Sequence, residues 1–222
     1  HDRVLMGPAK VSHKYTDHEK RVVAYHEAGH AVLGLKLDGA NEVQKITIIP
    51  RGQAGGYNLM QPKEETYLQT KTELLATISG YLGGRVAEET VFNEITTGAH
   101  NDFERATKIA RAIGMSDLGP VQFEHQESSV FLGRDYNKSR NFSSQVAFEI
   151  DQEQRKIINE CYEKTKKIIK DNMDLLKLIA ESLLEKETIT KEEIDYLVKN
   201  GKLPDENLSE TVEEEPTEVK KT

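Results

Sequence analysis

Two histidines and a glutamate stand close together in YHEAGHAVLG, residues 25–34. His26 and His30 are four positions apart, so a helix would place both imidazoles one turn apart on the same face. Two such imidazoles can bind one zinc ion, and Glu27 is close enough to that face to reach the open coordination position. The pattern predicts a hydrolytic zinc site in which Glu27 accepts a proton from water and passes it to the leaving amine.

The segments around this stretch predict a mainly helical chain. Thr16 with Glu19, and Thr70 with Glu73, form S/T-x-x-E capping boxes that each predict the start of a long helix. The stretch EVQKITIIP, residues 42–50, predicts a strand that ends at a proline. Apolar residues recur at helical spacing from 145 to 184. We therefore expect a mainly α fold with a small β-sheet, in which an edge strand lies beside the H-E-x-x-H helix and a helical bundle follows.

Composition excludes several classes of protein. The net charge of the 222-residue chain is −8, whereas a broad nucleic-acid surface requires a basic balance, so no nucleic-acid partner is expected. Cys161 is the only cysteine, which excludes an internal disulfide. No apolar run approaches the roughly 18 residues of a membrane span, so we expect no direct membrane insertion of this chain.

A catalytic zinc site needs a third protein ligand. Glu88 and Glu89 in GGRVAEE are candidates, as are His100 and Asp102 in TTGAHNDFERAT. A glutamate on the second long helix and an aspartate that follows a glycine turn are equally plausible from the residues, and spacing alone does not separate them.

Several motifs in a fixed order resemble one family, the FtsH-type ATP-dependent zinc metalloproteases. They are DRVLMGP, HEAGHAV, GGRVAEE, TTGAHNDFERAT, GMSDLGP, FLGRDY and EIDQEQRKII, and the resemblance covers roughly residues 2 to 200. The resemblance implies a zincin-like fold, His26, His30 and Asp102 as zinc ligands, and Glu27 as the catalytic base. It also implies that Glu88 or Glu89 supports a ligating imidazole through a hydrogen bond.

The resemblance also gives a role to ITIIPRGQAGGYNLMQP, residues 46–62. In such proteases this region resembles an edge strand beside the metal, where an extended substrate binds through main-chain hydrogen bonds. The residues expected to form this substrate-binding strand are Gly55, Gly56, Tyr57, Asn58, Leu59 and Met60.

Family members carry transmembrane segments and an ATPase domain ahead of the protease segment. The present sequence contains no G-x-x-x-x-G-K-[ST] loop, so the resemblance implies an isolated C-terminal peptidase module, with ATP used only by a domain absent here. It further implies a homohexamer that degrades unfolded or membrane proteins, anchored in a membrane with this module facing the cytoplasm or its organelle equivalent. One departure is the segment at Ala112 and Ile113, which is shorter than is usual in the family.

The expected organisation is a linker at 1–12, a peptidase domain at 13–203 and an acidic, disordered tail at 204–222. Within the domain, 13–144 would form the catalytic part and 145–203 the helical part.

Two other functions are compatible with the zinc pattern. A different H-E-x-x-H hydrolase, such as a deformylase, would need a cysteine ligand near the site, whereas Cys161 lies in a distant helical segment. A non-catalytic hexamer assembly module with structural zinc, or none, would have no need of a base at Glu27.

Overall fold

The computed structural model describes residues 15–51, 54–63, 68–119 and 142–204. Six α-helices and one three-stranded antiparallel sheet lie within these ranges, which confirms the predicted mainly α fold with a small sheet. The helices are α1 (Asp17–Lys36), α2 (Lys71–Phe92), α3 (His100–Asp117), α4 (Ser144–Asp171), α5 (Met173–Lys186) and α6 (Lys191–Asn200). The strands are β1 (Glu42–Thr47), β2 (Tyr57–Gln61) and β3 (Thr188–Thr190).

Both predicted capping boxes are present. The Thr16 hydroxyl accepts a 3.2 Å hydrogen bond from the Glu19 N–H, and the Glu19 carboxylate accepts one of 2.8 Å from the Thr16 N–H. Thr70 and Glu73 repeat this arrangement with distances of 3.2 and 2.7 Å. Each pair satisfies two backbone donors that a helix start leaves free, so the side chains themselves fix where α1 and α2 begin.

The backbones of α1 and α2 touch where they cross. A Cβ atom on Gly29 would lie 2.4 Å from the carbonyl oxygen of Gly83, and one on Gly83 would lie 2.8 Å from the carbonyl oxygen of Gly29. Only glycine fits at either position, because any side chain would overlap the opposing main chain. This contact places the middle of α1 directly against the second half of α2.

The sheet has the order β2–β1–β3, so β2 lies at an edge. Val43 pairs with Met60 and Thr47 pairs with Tyr57, with an irregularity between Val43 and Lys45. The predicted strand at 42–50 ends at Thr47, although the Ile48 N–H still donates to the Glu187 carbonyl oxygen at 2.9 Å. The predicted edge strand is therefore present beside α1.

One hydrophobic core joins the front and the back of the described chain. Ala28 and Val32 of α1 share a buried cluster with Ile46 of β1, Ile179 of α5 and Leu197 of α6.

The division into parts at 13–144 and 145–203 stays a prediction, and its boundary falls at the start of α4. The predicted linker at 1–12 and residues 205–222 of the predicted tail lie outside the described residues. Within the described ranges, the membrane-span criterion of length and apolarity is met by none of the helices.

Candidate metal centre

The middle of α1 brings the two histidines of the opening pattern together. His26 and His30 are 8% and 9% exposed, and their Nε2 atoms are 3.0 Å apart. This closeness follows from their spacing, since residues four apart lie one above the other on a helix. The predicted helical face is therefore present and almost fully buried.

Asp102 approaches the histidine pair from the first turn of α3. Its Oδ2 atom lies 3.4 Å from Nε2 of His26 and 3.4 Å from Nε2 of His30. Potential ligand atoms of all three residues lie within 4.8 Å of one another, and no other such group of His, Cys, Asp or Glu occurs among the described residues. Two imidazole nitrogens and one carboxylate oxygen that converge on one point form a donor set that suits zinc.

Charge coupling within this group is strong. Burial lowers the pKa of His26, but hydrogen bonds to Asp102 and Glu88 outweigh it and raise that pKa to about 10. Burial alone would raise the pKa of Asp102, but hydrogen bonds from His26 and His30 hold it well below its ordinary value. The three side chains therefore form a buried site that favours positive charge at its centre.

Hydrogen bonds behind the rings orient both imidazoles. Nδ1 of His30 donates to the Gly80 carbonyl oxygen at 2.8 Å, and Nδ1 of His26 donates to Oε1 of Glu88 at 2.6 Å. A carbonyl can only accept, so the hydrogen of neutral His30 lies on Nδ1 and the Nε2 lone pair faces Asp102. This is the tautomer that a metal ligand requires.

The structure separates the two adjacent glutamates of α2. Glu88 is 1% exposed, and its Oε2 atom also accepts a hydrogen bond of 3.0 Å from the Thr96 N–H. Burial opposes ionisation of Glu88, but the contact with His26 lowers the pKa of this carboxyl below its ordinary value. Glu89 points away and contacts the Tyr162 hydroxyl and, at 3.6 Å, Nζ of Lys166. Only Glu88 lies beside the candidate ligands.

Glu27 is 6% exposed and faces β2. Its Oε2 atom accepts a hydrogen bond of 2.6 Å from Nδ2 of Asn58, and a Cβ atom on Gly56 would lie 2.9 Å from its Oε1 atom. Burial raises the pKa of Glu27, while the nearby His26 and His30 act in the opposite direction. A buried carboxylate with these neighbours suits proton transfer to and from a group bound in this site.

A cleft of about 740 Å³ lies over these side chains. Its lining includes His26, Glu27, His30 and Asp102, and it extends along the whole predicted substrate strand. The residues of that predicted strand that line it are Gly55, Gly56, Tyr57, Asn58, Leu59 and Met60. The prediction was wrong for Gly55 and Gly56, because β2 begins only at Tyr57. Glu88 and His100 also line the cleft, whereas Glu89 and the buried Cys161 are absent from its lining within the described chain.

Sequence reasoning missed three supporting features of the centre. The Gly80 carbonyl and the Thr96 N–H are backbone groups, which carry no signal in residue type. Gly84 is required because a Cβ atom there would lie 2.5 Å from Nε2 of His26. Its place in GGRVAEE, four residues before Glu88, offered a signal, since a glycine inside a predicted helix often marks a close approach.

Comparison with known proteins gives a consistent assignment. Residues 13–197 match the model of peptidase family M41. The chain is 54% identical over 224 residues to the ATP-dependent zinc metalloprotease FtsH of Bacillus subtilis, with 98% of this chain and 35% of that protein covered. It is 58% identical over 206 residues to the FtsH of Acholeplasma laidlawii, with 91% of this chain and 32% of that protein covered. The chain thus spans about a third of the length of these relatives. With 185 of its 222 residues inside the family match, from 13 to 197, this chain belongs to peptidase family M41.

Proposed function

We propose that this chain is a zinc-dependent endopeptidase in which His26, His30 and Asp102 hold the metal and Glu27 is the general base. The observation that carries the proposal is the convergence of both Nε2 atoms and Oδ2 of Asp102 in a buried site beside the Glu27 carboxylate. Zinc bound by such a set lowers the pKa of water to about 7 and polarises a carbonyl group. The family assignment favours peptide hydrolysis over a deformylase or a non-catalytic assembly module.

Glu27 moves the protons. Its carboxylate is buried at the wall of the cleft and has the side-chain amide of Asn58 on one oxygen. From this place it accepts a proton from the attacking water and delivers that proton to the nitrogen of the leaving amine. Because both transfers use one carboxylate, its orientation has to be kept through the reaction.

Glu88 supports the metal centre through His26 and takes no direct part in the proton transfers. By accepting from Nδ1 of His26, it fixes the ring orientation and increases the basicity of the opposite nitrogen. Gly80 has the equivalent role for His30 through its carbonyl oxygen. Of the two glutamates considered from sequence, Glu88 is the one we propose for this support.

Substrate binding is assigned to the outer edge of β2. An extended peptide can add to an unpaired strand edge through main-chain hydrogen bonds, which suits cleavage with weak sequence preference. Gly55 and Gly56, just before β2, and the β2 residues from Tyr57 to Met60 line the same cleft as the candidate ligands. A peptide on this edge would therefore pass over the metal centre.

The relatives are named ATP-dependent proteases, and we extend the proposal to the protein of which this chain forms part. In that protein an ATPase domain would unfold substrates, a homohexamer would enclose the peptidase sites, and a membrane anchor would hold this module on the cytoplasmic or equivalent side. Unfolded polypeptides, including membrane proteins, are the proposed substrates. This chain alone should cleave casein or peptides and leave tightly folded proteins intact.

Replacement of Glu27 by Gln tests the mechanism. We expect cleavage of casein and of a fluorogenic peptide to fall by about 100-fold or more, because proton transfer is lost, while bound zinc is retained. Glu89→Gln is the matched control, since Glu89 contacts Tyr162 rather than the centre. Unchanged cleavage in Glu27→Gln would reject the mechanism. An anomalous X-ray signal measured at the zinc edge would identify the carboxylate that completes the coordination.

A further inference from the structure

The side chain of Asn58 connects the edge strand to Glu27. Its Nδ2 atom donates to Oε2 of Glu27 at 2.6 Å and to the Glu27 backbone oxygen at 3.0 Å. An amide nitrogen carries two hydrogens, and both are used on this one residue. The reversed amide would place its oxygen against two acceptors, so the hydrogen bonds themselves require the observed orientation.

The oxygen atom of the Asn58 amide is not stabilised in the same way. Oδ1 of Asn58 is buried and has no hydrogen-bond partner among the described residues. A buried acceptor without a partner is destabilising, and native structures contain few of them. The cost of this buried oxygen offsets part of the stability that the two hydrogen bonds to Glu27 contribute, which points to the position of Glu27 as the main effect of Asn58.

Gly56 confines the same carboxylate from a second direction. Gly56 immediately precedes β2, two residues before Asn58, and its backbone also lies beside Glu27. A Cβ atom on Gly56 would lie 2.9 Å from Cγ and from Oε1 of Glu27. The Glu27 side chain is therefore packed against the backbone at Gly56 and hydrogen-bonded by Asn58, which leaves it little rotamer freedom.

We propose that Asn58 is the positioning residue for the base, holding the Glu27 carboxylate in the orientation that proton transfer needs. The inference rests on the proposed function, because Asn58 would act only by positioning Glu27, the proposed general base. It also implies that the strand on which substrate lies and the base beside the metal keep a fixed geometry. Asn58 thus acts on the rate of chemistry and has no part in holding the metal.

Substitutions of similar size test this role in the zinc-loaded protein. Asn58→Leu removes both donors but keeps the branching and the heavy-atom count of the side chain, and we expect kcat on a fluorogenic peptide to fall about tenfold to a hundredfold. KM should stay within about twofold and zinc stoichiometry should stay unchanged, because neither substrate backbone nor metal is touched. Asn58→Gln keeps an amide donor and should recover part of the lost kcat.

Two further measurements separate positioning from a structural role. Gln44→Leu, on neighbouring β1 where Gln44 donates only to Glu42 in the observed bonds, should leave kcat and the melting temperature near those of the unchanged protein. The side-chain amide NMR signal of Asn58, assigned by its absence in Asn58→Leu, should shift in Glu27→Gln. A signal that does not move would overturn the proposed contact without any reference to activity.

The outcomes also distinguish this inference from the proposed function. If Glu27→Gln cleaves normally, the proposed mechanism fails and the role of Asn58 fails with it. If Glu27→Gln is inactive while Asn58→Leu has an unchanged kcat, only the present inference is wrong. A rise in KM alone would assign Asn58 to substrate binding, and loss of zinc would assign it to the metal site; either result overturns the proposal.

Discussion

Glu88 accepts a hydrogen bond of 2.6 Å from Nδ1 of His26, and both side chains are buried. The second oxygen of Glu88 accepts from the Thr96 N–H at 3.0 Å, six residues before Asp102 in the chain. One carboxylate on α2 therefore connects a candidate ligand on α1 with the turn that leads into α3. Its loss should disturb the metal centre from both directions.

Glu88→Gln should lower zinc affinity by about 10-fold to 100-fold, because a neutral amide is a weaker partner for the His26 ring. Competition titration with a chromophoric chelator measures this change. Glu89→Gln is the matched control, since it changes the neighbouring side chain, which contacts Tyr162. Equal affinities in the two variants would show that Glu88 does not support the ligand.

Replacement of Asp102 and replacement of His100 should have different effects on bound zinc. Asp102→Ala should remove most bound zinc, since it deletes the oxygen that lies 3.4 Å from both Nε2 atoms. His100→Ala should leave zinc content and cleavage unchanged, because His100 lines the cleft outside the group of three. Elemental analysis of the two purified variants measures their zinc content. Zinc that persists in Asp102→Ala but disappears in the double variant would assign His100 as a replacement ligand.

Two glycines of α2 differ sharply in the room around them. A Cβ atom on Gly84 would lie 2.5 Å from Nε2 of His26, so Gly84→Ala should displace that ring, reduce zinc binding and lower the melting temperature. A Cβ atom on Gly80 would meet nothing within 4 Å. Gly80→Ala should therefore keep zinc and stabilise the helix by about 0.5–1 kcal/mol. Calorimetry and elemental analysis of the two variants measure their thermal stability and their zinc content.

The contact of Tyr162 with Glu89 predicts a pH-dependent stability at alkaline pH. Burial and the hydrogen bond to Glu89 raise the pKa of Tyr162 to about 12, against about 10 for an unfolded tyrosine. A raised folded pKa gives a stabilisation that is complete below about pH 10 and is lost as the pH rises towards 12. The difference in unfolding free energy between the unchanged protein and Tyr162→Phe should therefore shrink over this range in urea titrations. A constant difference would contradict the coupling.

Acid should remove zinc and activity together. Ligating imidazoles have to be neutral, so protons compete with zinc for His26 and His30 more strongly as the pH falls. Zinc content after dialysis and the rate of peptide cleavage, measured on the same samples, should decline in parallel. Zinc occupancy that stays constant throughout an acid titration in which the protein remains folded would show that His26 and His30 are not the ligands.

The parts of this molecule that were predictable depend on local sequence. The capping boxes at Thr16 and Thr70 fix helix starts within three residues, and the shared face of His26 and His30 follows from helical spacing alone. The choice between Glu88 and Glu89 was open, because it depends on the rotation of α2 against α1. Likewise, nothing near Asn58 indicates a contact with Glu27, which is 31 residues away in sequence. Such relationships arise from packing between distant segments, which residue type and spacing do not encode.

The contact between Gly29 and Gly83 has a consequence for how the enzyme can vary. Two main chains that already touch cannot come closer, so any larger residue at either position can only push the helix axes apart. Gly29 lies inside the H-E-x-x-H sequence, and Glu88 is five residues beyond Gly83. We therefore expect side chains of increasing size at Gly29 or Gly83, neither of which is a proposed ligand, to separate the helices further and to weaken zinc binding step by step.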